Sequence, residues 1–331
     1  MTVLITGASG HIGANLVRVL AAKGQKTRCF VHKDTRALEG LETEIVKGDI
    51  CDPDSIARAC EGMEIVYHLA GHISISMQGW EDLQAINVTG TRNVVEACLK
   101  AKVRRLVHFS SIHAFNRDPL DRPVDESNPL VTSDKNPPYD RSKAAGTREA
   151  RKGMEKGLDT VIIHPTAVIG PYDFQPSYLG EAILMMANGS LPALVPGGYD
   201  WVDARDVALG TVAAAEKTPN GSAYLLGGRW VSLCDMAALI TELTGKENSK
   251  FVCPLWLANT GAVYFKVVSK FNGKPPLYTH MSLKALQDNR NISHEKARRE
   301  LGYEPRPFRD TLEDTLRWFR ENGKLNLDQP D

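Results

Sequence analysis

The chain has no excess charge, with 40 Lys plus Arg against 40 Asp plus Glu in 331 residues. Nucleic acids and anionic membrane surfaces select proteins with a clustered basic surplus, so neither is expected as a partner. Its six cysteines, Cys29, Cys51, Cys60, Cys98, Cys234 and Cys253, include no C-x-x-C pair. That fits free thiols in a reducing compartment better than a disulfide framework or a zinc knuckle. Long apolar runs are also missing. Thr2 to Ile5 is too short for a signal segment, and nothing approaches the roughly 18 uncharged residues of a membrane helix. The nearest stretch, Leu255 to Val268, is interrupted by Lys266 and softened by Asn259-Thr260, and is expected to be a pocket-lining helix. No internal repeat or low-complexity tract occurs. A globular, cytoplasmic protein of one large domain or two follows.

What is present is an alternation of short apolar runs with amphipathic stretches. Val3 to Thr6 precedes Ile12 to Lys23, Glu44 to Lys47 precedes Asp54 to Cys60, and Ile65 to Leu69 precedes Ala85 to Lys100, with Leu106 to Ser110 beyond. Runs such as Ile65-Val66-Tyr67-His68-Leu69 and Val161-Ile162-Ile163 lack polar alternation, as parallel strands covered on both faces should. The expected fold is α/β, a doubly wound parallel sheet of Rossmann type with a smaller C-terminal substrate-binding subdomain. Ligands bind at the carboxyl ends of such strands, which selects Gly7, His32, Asp49, Ala70, Ser111 and Pro165. After Pro165, prolines and glycines punctuate shorter segments. The expected division is a dinucleotide-binding domain over 1–170, to which 200–228 returns, a substrate-binding part over 171–199 and 229–322, and a polar tail over 323–331. Residues 308–322 have the spacing of a closing amphipathic helix, with Leu312, Leu316 and Phe319 on one face.

Thr6-Gly7-Ala8-Ser9-Gly10-His11-Ile12-Gly13 follows the first strand and opens the first helix. In that context Gly7 permits the tight turn, Gly10 lets amides approach a pyrophosphate, and Gly13 allows helix and strand to pack closely. A plain strand-to-helix turn is the simpler alternative, and the G-x-x-G-x-x-G spacing differs from G-x-G-x-x-G. The second strand ends Cys29-Phe30-Val31-His32-Lys33 without the acid that would bond a ribose 2′-hydroxyl. With Lys33 and Arg36 nearby, NADP(H) is the favoured cofactor, and NAD(H) stays open if those cations are only a solvated face. Asp49 is placed either to bond an adenine amino group or to cap the helix beginning near Asp52.

Tyr139-Asp140-Arg141-Ser142-Lys143 puts a phenol and an ammonium one helical turn apart on the same face. A tyrosine with a pKa of about 10 needs a nearby cation to act as an acid–base group at neutral pH, and Lys143 supplies one. A surface Tyr and Lys at helical spacing is the bland reading of this pair taken alone.

The pair is not alone. TGASGHIG (6–13), GDICD (48–52), HLAG (68–71), INVTGTRN (86–93), FSSIHA (109–114), YDRSK (139–143) and HPTAVIGPYD (164–173) resemble the extended short-chain dehydrogenase/reductase superfamily. The likeness runs to about residue 320 and is greatest to the dihydroflavonol-4-reductase and 3β-hydroxysteroid-dehydrogenase-like branch. It implies Tyr139 as proton donor to the substrate oxygen, Lys143 as the group that lowers its pKa and binds the nicotinamide ribose, and Ser111 as the carbonyl-polarising serine. It further implies that Asp49, Ile50, Leu69, Ala70 and Gly71 line the cofactor cleft, that Asn87 supports the central helix, and that Pro165 and Val168 frame the nicotinamide. Two residues depart from the pattern. His164 stands where arginine usually precedes Pro165, and His32 where NADP-using relatives often carry arginine.

The resulting expectation is an NADPH-dependent reductase of a ketone or aldehyde with apolar or aromatic substituents, working reversibly. Tyr172, Phe174 and Tyr178 suit such a substrate. One alternative is a sugar-nucleotide epimerase or dehydratase on the same fold. Against it stand Ile112-His113 in place of an Asp-Glu pair, the missing acid on the second strand, and His164-Pro165-Thr166. The other is a non-catalytic NADP(H)-binding redox sensor, which usually lacks the Tyr-Lys pair. His68, His72, His113 and His164 have no ligating spacing, so no metal is expected. The superfamily's habit implies a homodimer as an open assembly.

Overall fold

The apolar runs become strands because each can bury both faces under flanking helices. In the computed structural model, which describes residues 1–74, 79–249, 251–261 and 278–326, the first six strands are Thr2–Thr6 (β1), Lys26–Val31 (β2), Glu44–Lys47 (β3), Ile65–His68 (β4), Arg105–Phe109 (β5) and Thr160–Pro165 (β6). Ala167–Ile169 (β7), Gly198–Asp203 (β8), Ala223–Leu226 (β9) and Arg229–Ser232 (β10) follow. Seven of them form a parallel sheet in the order β3-β2-β1-β4-β5-β6-β9, the doubly wound Rossmann arrangement. Successive side chains go to opposite faces. Val3, Ile5 and Tyr67 pack with His11–Ala22 (α1) and Ala204–Lys217 (α7), while Leu4, Val66 and Leu106 pack with Pro53–Cys60 (α2) and Thr91–Lys100 (α4). Pro138–Glu155 (α5) lies on the latter face, where Gly153 meets Val95 and Arg141 stacks over Trp80 of the short helix Trp80–Leu83 (α3).

The order reverses at β1, which pairs with β2 on one side and β4 on the other. The crevice opened there is where this topology binds ligands. Gly7, at φ +69°, makes the turn, and a Cβ on it would lie 2.7 Å from the amide nitrogen of Ala70.

A second layer forms from a three-stranded sheet, β10-β8-β7, with Tyr178–Ala187 (α6), Leu233–Thr244 (α8) and the closing helix Phe308–Glu321. Its core joins Ile183, Met186, Trp201, Met236, Ile240 and Phe319. Leu312, Leu316 and Phe319 are buried as their spacing predicts. Order continues past Gly323, since Leu325 is fully buried and its amide bonds Phe319 O at 3.2 Å. The stretch 200–228 is divided between layers: β8 belongs to the small sheet, whereas α7 and β9 belong to the large one. Of the apolar stretch 255–268, residues 255–261 are helical with Trp256 exposed, and the remainder lies outside the described residues. All six cysteines are free thiols. Among the described residues, no helix is long and apolar enough to cross a membrane, and no cluster of His, Cys, Asp and Glu could hold a metal ion.

Candidate active site

A cavity of about 1750 Å³ opens at the carboxyl ends of the central strands. The structure brings Gly7, Gly10, His11, Ile12, Gly13, Leu69, Gly71, Ser111, Tyr139, Lys143, Pro165 and Val168 to its wall. The glycine turn fits a dinucleotide. No side chain caps the N-terminus of α1, so its amides and the positive end of its dipole face the cavity, ready for an anion. His11 Nε2 lies 3.1 Å from the carbonyls of Gly170 and Pro171, and Asn15 donates to Pro171 O, which ties this turn to the loop after β7.

Other predicted residues lie elsewhere. Asn87 and His164 are buried beneath the cavity, Ser9 is half-buried beside the turn, and Ala70 gives its amide to Thr6 Oγ1. Ile50 packs in the core against Gly90, and Asp49 Oδ1 accepts from the Cys51 amide at 2.8 Å. The cap of α2 is Asp52, not Asp49. His32 and Lys33 are exposed.

Tyr139 and Lys143 project from the first two turns of α5, and Ser111 caps a single turn at the end of β5 by accepting from the His113 amide at 3.2 Å. Lys143 Nζ donates to Phe109 O at 2.7 Å. Burial brings the Lys143 ammonium down to about 8. Burial also dominates at Tyr139 and pushes the phenol up to about 12, while a hydrogen bond with Ser111 pulls the other way. The expected lowering by Lys143 therefore does not govern the phenol of the ligand-free site. Tyr139 is protonated at neutral pH and suited to donate.

Below this group runs a buried relay that fixes its own protonation. Thr91 Oγ1 donates to Asn87 O at 2.8 Å, so it can only accept from His68 Nε2, 3.0 Å away. His68 Nδ1 must then accept from Thr6 Oγ1 at 2.8 Å, which in turn accepts from the Ala70 amide. Burial keeps the ring neutral, and these bonds then put its proton on Nε2. Asn87, inside the π-helical turn Gln84–Gly90, bonds both polar backbone atoms of His72 and donates to Ser142 Oγ, which donates to Tyr139 O. A Cβ on Gly146 would come 2.4 Å from Asn87 O, so α5 needs glycine there to sit this close.

Burial is the main cause holding both His68 and His164 down at about 3. Their folded values lie below the unfolded value of about 6.5, so unfolding takes up protons between those limits. This contribution to stability is complete above about pH 6.5 and is lost as pH falls towards 3, by at most about 1.4 kcal/mol per pH unit for each ring. Thermal melts from about pH 7.5 to about pH 5 should show a falling Tm, more steeply in the wild type than in His68→Gln; equal slopes would mean that His68 is charged in the native state.

Sequence reasoning missed three acids and a cation. Asp34, just past β2, binds Arg36 in a bidentate pair with a shortest contact of 2.7 Å and accepts from Gln175 at 2.6 Å. The Arg36 hydrogen bond brings the Asp34 carboxyl down to about 2. Asp140, beside Tyr139, is buried between Arg117 Nη2 at 2.9 Å and His113 Nδ1 at 3.3 Å, and Arg117 reaches Asp288 on its other side. These partners hold Asp140 below the usual carboxylate range even though burial acts to raise it. An acid inside YDRSK was the available signal for Asp140. Arg117 and Asp288 are 171 residues apart and left none.

Residues 3–227 match the family described as NAD dependent epimerase/dehydratase. The chain belongs to that family. It is 36% identical over 329 residues to the sterol demethylase protein B of Methylococcus capsulatus, covering 98% of this chain and 100% of that protein. Identity to a putative dihydroflavonol 4-reductase of Synechocystis is 32% over 325 residues, covering 96% and 94%. The solved structure of gox2253 superposes with a TM-score of 0.85 at 32% identity, covering 98% and 99%. A nucleoside-diphosphate-sugar epimerase from Pseudomonas aeruginosa follows at 0.80 and 25%, also covering 98% and 99%. No single branch of the superfamily dominates these relatives. Family and fold together make the chain an enzyme of the NAD(P)-linked oxidoreductase/epimerase type acting on small molecules.

The preference for NADP(H) is overturned. Two solved structures of this fold are complexes with NAD: MoeE5 with UDP-glucose (TM-score 0.77, 22% identity, 97% and 99% covered) and UDP-glucuronic acid 4-epimerase from Bacillus cereus (0.78, 20%, 99% and 100%). The physical reason is local. Arg36, counted as a cation for a 2′-phosphate, is paired with Asp34, so the strand end carries an acid after all.

Proposed function

We propose that this chain uses NAD(H) to interconvert a CH–OH group and a carbonyl in an apolar, sterol-sized substrate. The observation that carries this reading is one cavity holding Tyr139, Ser111 and Lys143 at one end and apolar side chains, among them Leu179, Met186, Trp201, Leu233 and Met236, at the other. When bound, the nicotinamide gives or takes the hydride. Ser111 and Tyr139 stabilise the negative charge that develops on the substrate oxygen, Tyr139 supplies the proton, and Lys143 holds positive charge beside it. The second layer, around α6 and α8, forms the substrate-binding part. The name of the Methylococcus relative supports a sterol.

A second reading, a sugar-nucleotide epimerase, begins with the same oxidation. The family description and the Pseudomonas epimerase favour it, and the solved structures weigh more on this side than on a stand-alone reductase. The deciding experiment follows NADH absorbance with ketosteroids and, separately, interconversion of UDP-sugars. Ketosteroid reduction without sugar epimerisation supports the apolar substrate, and the reverse result overturns it. The cofactor is tested by Asp34→Ser. Releasing Arg36 should shift the NADPH-to-NADH preference towards NADPH by about tenfold or more, the size of one charge-assisted hydrogen bond. An unchanged ratio of dissociation constants would sink the role given to Asp34.

A further inference from the structure

The proton donor stands on a helix end that no side chain caps. Helix α5 starts at Pro138, and Pro137 before it has no side-chain group to offer the first-turn amides beside Tyr139. That turn is tied to the far wall of the cavity through the residue after Tyr139. Asp140 is buried and accepts from Arg117 Nη2 at 2.9 Å. Arg117, whose side chain is only 14% exposed, comes from the loop after β5 and uses each nitrogen of its fork. Nη1 donates to the carbonyls of Ile112 and Phe115 at 3.3 and 3.1 Å, and Nε donates to Asp288 Oδ2 at 2.5 Å. Asp288 follows the helix His280–Ala285, whose Leu283 belongs to the core of the second layer. The same segment is fastened to the loop a second time, where Asn289 Nδ2 donates to Arg117 O at 3.2 Å and to Arg122 O at 2.7 Å. Tyr139, Asp140, Arg117 and Asp288 all line the cavity. One guanidinium thus joins the turn that carries the proton donor to the layer that walls the substrate. A planar fork can hold carboxylates on two sides in fixed directions, which the point charge of an ammonium cannot.

We propose that Arg117 is a positioning residue of this reaction: by holding Asp140 and Asp288 together it sets the distance between the Tyr139 hydroxyl and the oxygen of a substrate lying against the second layer. The proposal rests on the reading above, in which Tyr139 gives its proton to a carbonyl oxygen in this cavity. Arg117 takes no part in the proton transfer and acts through its two carboxylate partners. The demand on it is geometric. The carbonyl oxygen must lie within hydrogen-bond reach of the hydroxyl, and a displacement of about 1 Å can cost about 100-fold in rate. The glycine turn that faces the cofactor, at the start of α1, shares none of these hydrogen bonds. Loosening the tie should therefore slow the chemical step and leave cofactor affinity as it was.

The test uses the full chain with cholestanone in cyclodextrin and NADH, and compares wild type with Arg117→Lys, Asp288→Ala and the double variant. Arg117→Lys keeps the positive charge beside Asp140 and loses the fork. Asp288→Ala leaves the Arg117–Asp140 pair intact and cuts the tie on the substrate side alone, so it decides the question even if the lysine variant fails to fold. Single turnovers followed by absorbance give the rate of the chemical step free of product release. That rate should fall about 10- to 100-fold in each single variant, with the half-saturating ketone concentration unchanged and the NADH dissociation constant, from quenching of protein fluorescence, at its wild-type value. In the double variant the loss should be no greater than in the worse single one, because both substitutions cut the same tie. A merely structural arginine would lower Tm and leave the rate of the folded enzyme untouched. Reduction by Asp288→Ala at the wild-type rate, or losses that multiply in the double variant, overturns the role of Arg117, while reduction by wild type leaves the oxidoreductase reading standing. Absence of reduction by wild type overturns the two together.

Discussion

Tyr139→Phe is expected to lower the rate of hydride transfer by about 10²- to 10⁴-fold, the range for loss of a general acid, while NADH binding is retained. The substitution removes one hydroxyl and keeps the ring that meets His113. With the phenol held up to about 12, no other group has been placed to give the substrate oxygen a proton in the reducing direction. Ser111 can polarise that oxygen, but its own hydroxyl is a far weaker acid. Single-turnover absorbance would give the rate, and quenching of protein fluorescence would give the affinity for NADH. A variant that turns over at the wild-type rate would remove Tyr139 from the mechanism. Loss of NADH binding along with turnover would instead make its role structural.

Gly13→Ala should have the second largest effect, and two opposing terms decide its sign. Alanine is preferred to glycine inside a helix by about 1 kcal/mol, so α1 taken alone would gain. The new Cβ, however, would lie 2.2 Å from Gly7 O and 2.9 Å from Ala8 Cα, both backbone atoms of the turn beneath it. Neither can swing aside as a side-chain tip could. Helix and strand must separate, and overpacking of this kind costs about 1–3 kcal/mol or more. The same shift moves the amides at the start of α1, so affinity for NAD should fall at least about tenfold. Thermal denaturation and NAD titration together check this. An alanine variant as stable as wild type and binding NAD equally well would show that the close approach is not needed.

The parallel sheet was legible because its central strands are short apolar runs without polar alternation, the pattern expected of burial on both faces. The glycine turn was legible for a similar reason: Gly7 and Gly13 answer to backbone geometry, which leaves a local mark. Tyr139 and Lys143 share one turn of α5, so their common direction could be read from spacing. The cofactor preference failed because it depended on who neutralises Arg36. Asp34 was two residues away in plain view, yet only the folded loop shows it paired with Arg36 and anchored by Gln175 from a distant segment.

The sequence by itself determined the covered parallel sheet, the glycine turn and the positions of the chemistry-bearing side chains on the strand ends and helix. These follow from periodicity and local backbone preference, which act over a few residues. Tertiary structure alone decided the protonation and pairing of those side chains. Burial raises the Tyr139 phenol and lowers the Lys143 ammonium, Thr91 and Thr6 fix the tautomer of His68, and Arg117 holds Asp140 beside His113. Each of these depends on desolvation and on partners brought together from remote parts of the chain, and neither desolvation nor a distant partner is encoded in local spacing.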